Sequence, residues 1–192
     1  MNQRLLLPLV FCGILVALGL SMEKVRAEVG FVSGIGGNFT LTGTNGKLVS
    51  LEDFNGQIVL IFFGYTSCPD ICPTAMSKLA AVRGLLGKKA DRVQIIFITL
   101  DPERDTLEKL KPYVAHFGAS TIGLTGTPQE IAEVAAKYRV AYKKVEADSA
   151  ENYSVAHTDV IYLIDAHGRT RTLYRSASPV EKMVSDILEL MN

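Results

Sequence analysis

Two cysteines, Cys68 and Cys72, are four residues apart in the segment Cys-Pro-Asp-Ile-Cys, and Pro73 follows directly. Proline keeps the residue before it out of helical dihedral angles and is favoured at the first position of a helix. We therefore predict that Cys72 lies near the N-cap of a helix and that Cys68 lies in the loop before it. A helix N-terminus stabilises a thiolate and lowers the pKa of the thiol, which favours metal binding and nucleophilic chemistry.

The cysteine spacing is compatible with two kinds of chemistry. Three intervening residues can bring both sulfurs onto one metal ion or let them form a disulfide. An inert structural disulfide is the alternative interpretation, although the loop it would close is too short for much stabilisation. The third cysteine, Cys12, lies in an apolar N-terminal run and is interpreted as a small hydrophobic residue.

Two thiolates do not complete a site for most metals, so the three histidines are candidates for a further ligand. His116 ends a helical pattern, where a cation at a helix C-terminus is the simpler explanation. His167 lies in a turn and is expected to face solvent. His157 directly precedes a buried strand, and its position alone slightly favours a structural role. However, a loop entering a central strand can lie beside the cysteine loop.

A set of two thiolates and one imidazole favours copper over zinc. Thiolates select Cu(I), and imidazole accepts either oxidation state of copper. Structural zinc is normally held by four protein ligands, which the chain after residue 27 does not offer from Cys and His at familiar spacing. An open coordination position suits a protein that passes its metal on.

The N-terminal segment predicts export. Residues 5–22 are almost entirely apolar, and the run is close to the lower limit of about 17 residues for a bilayer span. We favour a retained signal anchor at 1–27, because the run exceeds the usual apolar region of a cleaved signal peptide. Cleavage after Ala27 remains the alternative. The expected location is the bacterial inner membrane, with the following domain facing the periplasm.

The remainder of the chain predicts a linker at 28–37 and one layered α/β domain at 38–192. The formal net charge is zero, so no basic field favours nucleic acid. Apolar runs, helical periodicity and turn residues indicate the elements. Their order is a hairpin (39–50), a strand (57–64), a helix (73–86), a strand (93–100), a helix ending near 117, a helix opening at 127, a polar loop (147–153), a strand (160–164), a turn, a strand (169–174) and a helix (179–191).

This order, with a cysteine pair between a buried strand and a helix, is typical of a thioredoxin-like fold. The expected architecture is a central mixed sheet flanked by helices.

Several motifs resemble those of the Sco/SenC family, over about residues 36–174. They are Gly-Tyr-Thr-Ser-Cys-Pro-Asp-Ile-Cys-Pro-Thr at 64–74, Phe-Ile-Thr-Leu-Asp-Pro-Glu-Arg-Asp-Thr at 97–106, Gly-Leu-Thr-Gly at 123–126, Tyr-Ser-Val-Ala-His-Thr at 153–158 and Tyr-Leu-Ile-Asp at 162–165. The resemblance implies a thioredoxin-like domain behind one transmembrane helix, with one copper ion bound by Cys68, Cys72 and His157. The implied role is a metallochaperone that assists assembly of the binuclear copper site of cytochrome c oxidase subunit II.

Other functions remain open beside this one. A thiol–disulfide oxidoreductase would use Cys68 and Cys72 as a redox pair and keep the copper-ligand cysteines of an oxidase subunit reduced. A metal-free assembly scaffold would need neither cysteine. Peroxidase chemistry fits less well, because it normally places a threonine three residues before the reactive cysteine, and Thr66 is only two before Cys68.

One departure from the family pattern lies beside the candidate histidine. The family commonly has Asp where this chain has Ala156, so a possible hydrogen-bond partner of the imidazole is lost, but no ligand. Asp70 and Asp101 are each interpreted either as loop caps or as residues that act near the metal or on a partner.

Overall fold

The computed structural model describes residues 29–149, 152–175 and 177–192. The predicted signal anchor at 1–27 and Cys12 lie outside these residues. Within the described ranges, no helix is both long enough and apolar enough to cross a lipid bilayer.

The described residues form strands and helices in an alternating order that begins with a hairpin. In chain order they are β1 (Thr40–Gly43), β2 (Leu48–Ser50), β3 (Ile58–Gly64), α1 (Ile71–Leu86), β4 (Val93–Thr99), α2 (Leu107–His116), β5 (Ile122–Thr125), α3 (Pro128–Lys137), β6 (Tyr142–Ser149), β7 (Asn152–His157), β8 (Ile161–Ile164), β9 (Thr170–Tyr174) and α4 (Val180–Leu190).

Seven of the strands form one mixed sheet in the order β2-β1-β5-β4-β3-β8-β9. Strands β3 and β4 are parallel neighbours joined by α1, and β8 and β9 continue the sheet antiparallel on the other side of β3. The units β3-α1-β4 and β8-β9-α4 correspond to the two halves of a thioredoxin-like domain. The predicted mixed α/β fold with helices around a central sheet is confirmed.

The two central strands form the core and bring two loops together. Every residue of β3 is buried, as its uninterrupted apolar run predicts. Met76 and Leu79 of α1 are also fully buried, and burying a side chain of this size contributes roughly 1.5–3 kcal/mol. In the parallel register Gly64 lies beside Thr99. The cysteine loop and the loop at 101–106 therefore leave the sheet side by side, at the carboxyl end where α/β folds place their sites.

Three elements differ from the sequence prediction. Strand β5 was not predicted, because it has only four residues and includes Gly123. Of the predicted polar loop at 147–153, the described residues 147–149 and 152–153 belong to the strands β6 and β7 of a hairpin. These two strands are mostly polar and, within the described residues, pair only with each other, so they lack the apolar run that marks a core strand. As a result, His157 ends a strand rather than lying in a loop.

The segment predicted as a linker packs along the domain over its described part. The buried Val29 donates its amide hydrogen to Glu189 Oε1 at 3.0 Å, and Val32 donates to the carbonyl of Thr170 at 3.0 Å. Gly36 allows close packing, since a Cβ at this position would collide with Thr170 Oγ1. Because Thr170 is level with the first residues of β3, the chain joins the domain at the end opposite the cysteine loop.

Candidate metal centre

The cysteine pair lies between β3 and α1. Helix α1 begins at Ile71 with Asp70 as its N-cap, so Cys72 is in the first turn rather than at the N-cap. The helix begins earlier than predicted because Pro73 fits inside the first turn, where backbone N–H groups have no intrahelical partner. The backbone N–H of Cys72, which has no partner within the helix, donates to Cys68 Sγ at 3.4 Å.

A glycine at the end of β3 makes room for the buried sulfur. A Cβ added at Gly64 would lie 2.7 Å from Cys72 Sγ, closer than real Cβ contacts allow. The first residue of the family-like motif at 64–74 thus has a steric role in seating Cys72 against the sheet.

Burial sets the acidity of Cys72. Its side chain is 0% exposed, and loss of hydration raises the pKa of the Cys72 thiol well above its ordinary value. A backbone hydrogen bond from Tyr65 lowers this pKa, whereas the neighbouring Cys68 and Asp105 raise it further. The predicted lowering of the Cys72 pKa by the helix N-terminus is therefore wrong for the metal-free protein. A metal ion that binds there has to displace a tightly held proton.

The two thiols are expected to react at different rates with iodoacetamide. In the reduced, metal-free protein at pH 8, Cys68 should be alkylated at least about 10-fold faster than Cys72, because thiolate is the reactive form and Cys72 is both buried and mostly protonated. Peptide mass spectrometry over time would measure both rates and separate them from that of Cys12. Equal alkylation rates of Cys68 and Cys72 in the native protein would contradict the burial of Cys72.

His157 completes the cluster from the end of β7. Its Nε2 lies 3.4 Å from Cys72 Sγ, and its Nδ1 lies 3.0 Å from the carbonyl oxygen of Thr158. With Nδ1–H donating to that carbonyl, Nε2 presents its lone pair to the cysteines, which is the arrangement of a metal-binding histidine. The rings of Phe62 and Tyr65 meet the imidazole edge-on and limit its rotation.

The structure also explains why alanine is tolerated at position 156, where the family commonly has aspartate. Alternation along β7 places Ala156 on the exposed side, paired with Lys143 on β6. The imidazole already has the carbonyl of Thr158 as its partner. The aspartate that the family commonly carries at this position is therefore not needed to orient His157.

The structure places the three predicted ligands together. One ligand atom each from Cys68, Cys72 and His157 lies within 4.8 Å of the other two, so one ion can contact all three after small side-chain movements. A groove of about 420 Å³ runs between the cysteine loop and β7 and includes Cys68 and His157 in its walls. His116 and His167 are exposed and lie outside this group, as predicted.

Asp105 supports the cysteine loop and was not singled out from the sequence, although it belongs to the motif at 97–106. It is fully buried. Its carboxyl group accepts hydrogen bonds from the amide of Thr66 at 2.9 Å, the hydroxyl of Thr66 at 2.5 Å and the hydroxyl of Thr99 at 2.6 Å. The start of the cysteine loop is thereby fixed to the end of β4.

The other two aspartates have different surroundings. Asp70 is exposed at the N-cap position of α1, where its side chain makes no capping hydrogen bond to the backbone; it accepts a hydrogen bond from the Thr74 hydroxyl at 3.4 Å instead. Asp101 is buried, forms an ion pair with Arg104 and accepts a hydrogen bond from the Tyr153 hydroxyl at 2.6 Å. It therefore links the loop at 101–106 to the strand that carries His157.

The fold and the site together indicate a class of protein. It is the class of thioredoxin-like domains that carry a thiolate–imidazole metal site, made of two cysteines and one histidine, at the carboxyl end of the central strands. A sequence model of the SCO1/SenC family matches residues 28–192. The chain belongs to this family.

Individual relatives agree in sequence and in fold. A SCO2-like protein of Rickettsia conorii is 42% identical over 151 residues, which is 78% of this chain and 74% of that protein. The structure of Bradyrhizobium japonicum ScoI with copper bound is 43% identical, has a TM-score of 0.75, and the match covers 81% of this chain and 99% of that one. BsSco, described as a member of the Sco family of cytochrome c oxidase assembly proteins, is 26% identical with a TM-score of 0.65, over 84% of this chain and 98% of that one.

Proposed function

We propose that this protein is a copper metallochaperone that binds one copper ion through Cys68, Cys72 and His157. The main support is that these three side chains converge and that the imidazole lone pair is directed at the cysteines. Two thiolates and an imidazole are ligands that copper prefers. The copper-bound relative of the same fold supports the choice of metal.

The access route to the site supports transfer rather than permanent storage. Cys72 is buried, whereas Cys68 is partly exposed on the wall of the groove. A thiolate of an acceptor protein that enters the groove would meet the copper on the Cys68 side. It could then replace the ligands of this chain one at a time, so that copper is never released into water.

The proposed acceptor is cytochrome c oxidase subunit II, whose binuclear copper site the protein would help to assemble. Support comes from the assembly role stated for the Sco family of BsSco. We further propose that residues 5–22 tether the domain to the bacterial inner membrane, with the domain in the periplasm. The chain joins the domain at the end opposite the cysteine loop, so such a tether would leave the groove open to a partner.

A transfer experiment tests this function. The reduced protein, loaded with one equivalent of copper, is mixed with the metal-free copper domain of an oxidase subunit II, and the two are separated and analysed for metal. Copper is expected in the acceptor, whereas Cys68→Ser, which removes one ligand, should neither hold nor deliver it. Failure of the wild-type protein to bind copper would refute the proposal. Binding without transfer would refute the delivery role alone.

One observation keeps the thiol–disulfide alternative as a second candidate. An accessible cysteine beside a buried one suits exchange in which Cys68 attacks a partner disulfide and Cys72 then resolves the mixed disulfide. This activity needs no histidine. Restoration of oxidase assembly by His157→Ala, but not by Cys68→Ser, would favour it over copper transfer.

A further inference from the structure

The β6–β7 hairpin, which carries His157, is held to the domain by side chains rather than by strand pairing. Within the described residues, β6 and β7 form their own two-stranded sheet, apart from the seven-stranded one. At the base of the hairpin, the amide of Thr158 donates to the carbonyl of Ala141 at 2.9 Å, which closes the hairpin on itself. The position of His157 relative to the cysteines therefore depends on side chains that reach from β7 to the body of the domain.

Tyr153 contacts the domain through its hydroxyl, its ring and its carbonyl. Its hydroxyl donates to Asp101 Oδ1 at 2.6 Å, and its carbonyl accepts from Arg104 Nη1 at 2.8 Å. The guanidinium carbon of Arg104 lies 3.6 Å from the centroid of the Tyr153 ring, within cation–π range. Since Arg104 also pairs with the buried Asp101, the hydroxyl, ring and carbonyl of Tyr153 all engage one fixed unit of the loop at 101–106.

The strand transmits this contact to the metal site. Tyr153, Val155 and His157 alternate with the exposed Ser154 and Ala156, so the first three share the face turned towards the domain. Val155 is buried in the core between the other two. Tyr153 and His157 are four positions apart along an extended strand, a distance of about 13 Å. Because Tyr153 and Val155 hold the strand against the domain, the imidazole of His157 at the end of the strand stays beside Cys72.

The same loop also holds the other half of the site. Asp105 of this loop fixes Thr66 at the start of the cysteine segment. The loop at 101–106 thus sets the distance between the cysteines and the hairpin, and Tyr153 is the hairpin's contact with it.

We propose that Tyr153 is a positioning residue for the copper site: its hydrogen bond to Asp101 and its packing on Arg104 hold the hairpin where His157 completes the ligand set. The inference rests on the copper-binding function proposed above. Because thiolates select Cu(I), retention of Cu(II) should depend more strongly than retention of Cu(I) on the imidazole, and therefore on Tyr153.

The substitution Tyr153→Phe tests the proposal, because it removes the hydroxyl and keeps the ring. Competition titrations should give a roughly 10-fold weaker Cu(II) affinity, at the lower end of the loss seen when a group supporting a metal ligand is removed, and a smaller change for Cu(I). In the metal-free protein, amide hydrogens at 153–157 should exchange faster with deuterium. Tyr142→Phe is the matched control. It lies opposite His157 on β6, and its hydroxyl makes no hydrogen bond within the described part of the chain.

A second background separates positioning from a general loss of stability. In His157→Ala, the added Tyr153→Phe substitution should cause no further loss of Cu(II) affinity, because the residue it positions is absent. An equal loss in both backgrounds, or wild-type affinity and amide exchange in Tyr153→Phe, would overturn the inference. A wild-type protein that binds no copper would instead overturn the proposed function, and amide exchange would still decide whether Tyr153 holds the hairpin.

Discussion

Replacing His157 with alanine is expected to weaken Cu(II) binding by more than about 100-fold. Loss of a group that merely supports a metal ligand costs about 10–100-fold in affinity, and the geometry makes His157 itself the only imidazole in the three-residue cluster. Two thiolates alone suit Cu(I) better than Cu(II). The measurement is a competition titration of the reduced protein for each oxidation state, together with the visible absorption of the Cu(II)–thiolate chromophore.

The chain supplies its own controls for this experiment. His116 at the end of α2 and His167 in the turn after β8 are both exposed and outside the cluster. Alanine at either position should leave copper affinity within about twofold of wild type, since surface substitutions away from a site have small effects. Full Cu(II) affinity in His157→Ala would remove this residue from the ligand set. A comparable loss in His167→Ala would show that the assay reports non-specific binding to surface histidines.

The sequence was sufficient for those parts of the fold that have strong local signals. The apolar runs of β3 and β4 and the helix opening at Thr127 were predicted, and the structure confirms them. The β6–β7 hairpin was missed because its strands are polar and lie outside the main sheet. Its packing against the domain involves contacts from Val155 and Tyr153 to residues far away in sequence, which no local pattern contains.

The cysteines were easier to predict than His157, because their signal is local in the sequence and that of His157 is not. The cysteine spacing pointed to metal or redox chemistry by itself, whereas His157 was selected chiefly by the family resemblance, because 85 residues separate it from Cys72. The acidity of Cys72 was predicted with the wrong sign. The position of Cys72 in a helix can be read from the sequence. Its burial, which outweighs the helix in setting the pKa of the thiol, depends on the packed sheet beneath the sulfur.

Asp105→Ala is expected to give the largest loss of stability among the predicted variants, at about 3 kcal/mol or more. The substitution leaves the buried Thr99 hydroxyl and the partly buried amide and hydroxyl of Thr66 without their acceptor, and each unsatisfied buried group costs about 1–3 kcal/mol. Urea denaturation of the metal-free, reduced protein would measure the change. Asp105→Asn keeps an acceptor oxygen and the shape of the side chain, so it should lose less.

The effect of Asp105→Ala should also reach the metal site, because Thr66 opens the loop that carries Cys68. Alkylation of Cys72 should accelerate as the loop loosens, and bound copper should restore part of the lost stability by mass action. Asp91→Ala is the control, since Asp91 is exposed and makes no hydrogen bond within the described residues. If Asp105→Ala were as stable as Asp91→Ala, with unchanged alkylation of Cys72, the buried carboxyl group would not be what fixes the cysteine loop to the end of β4.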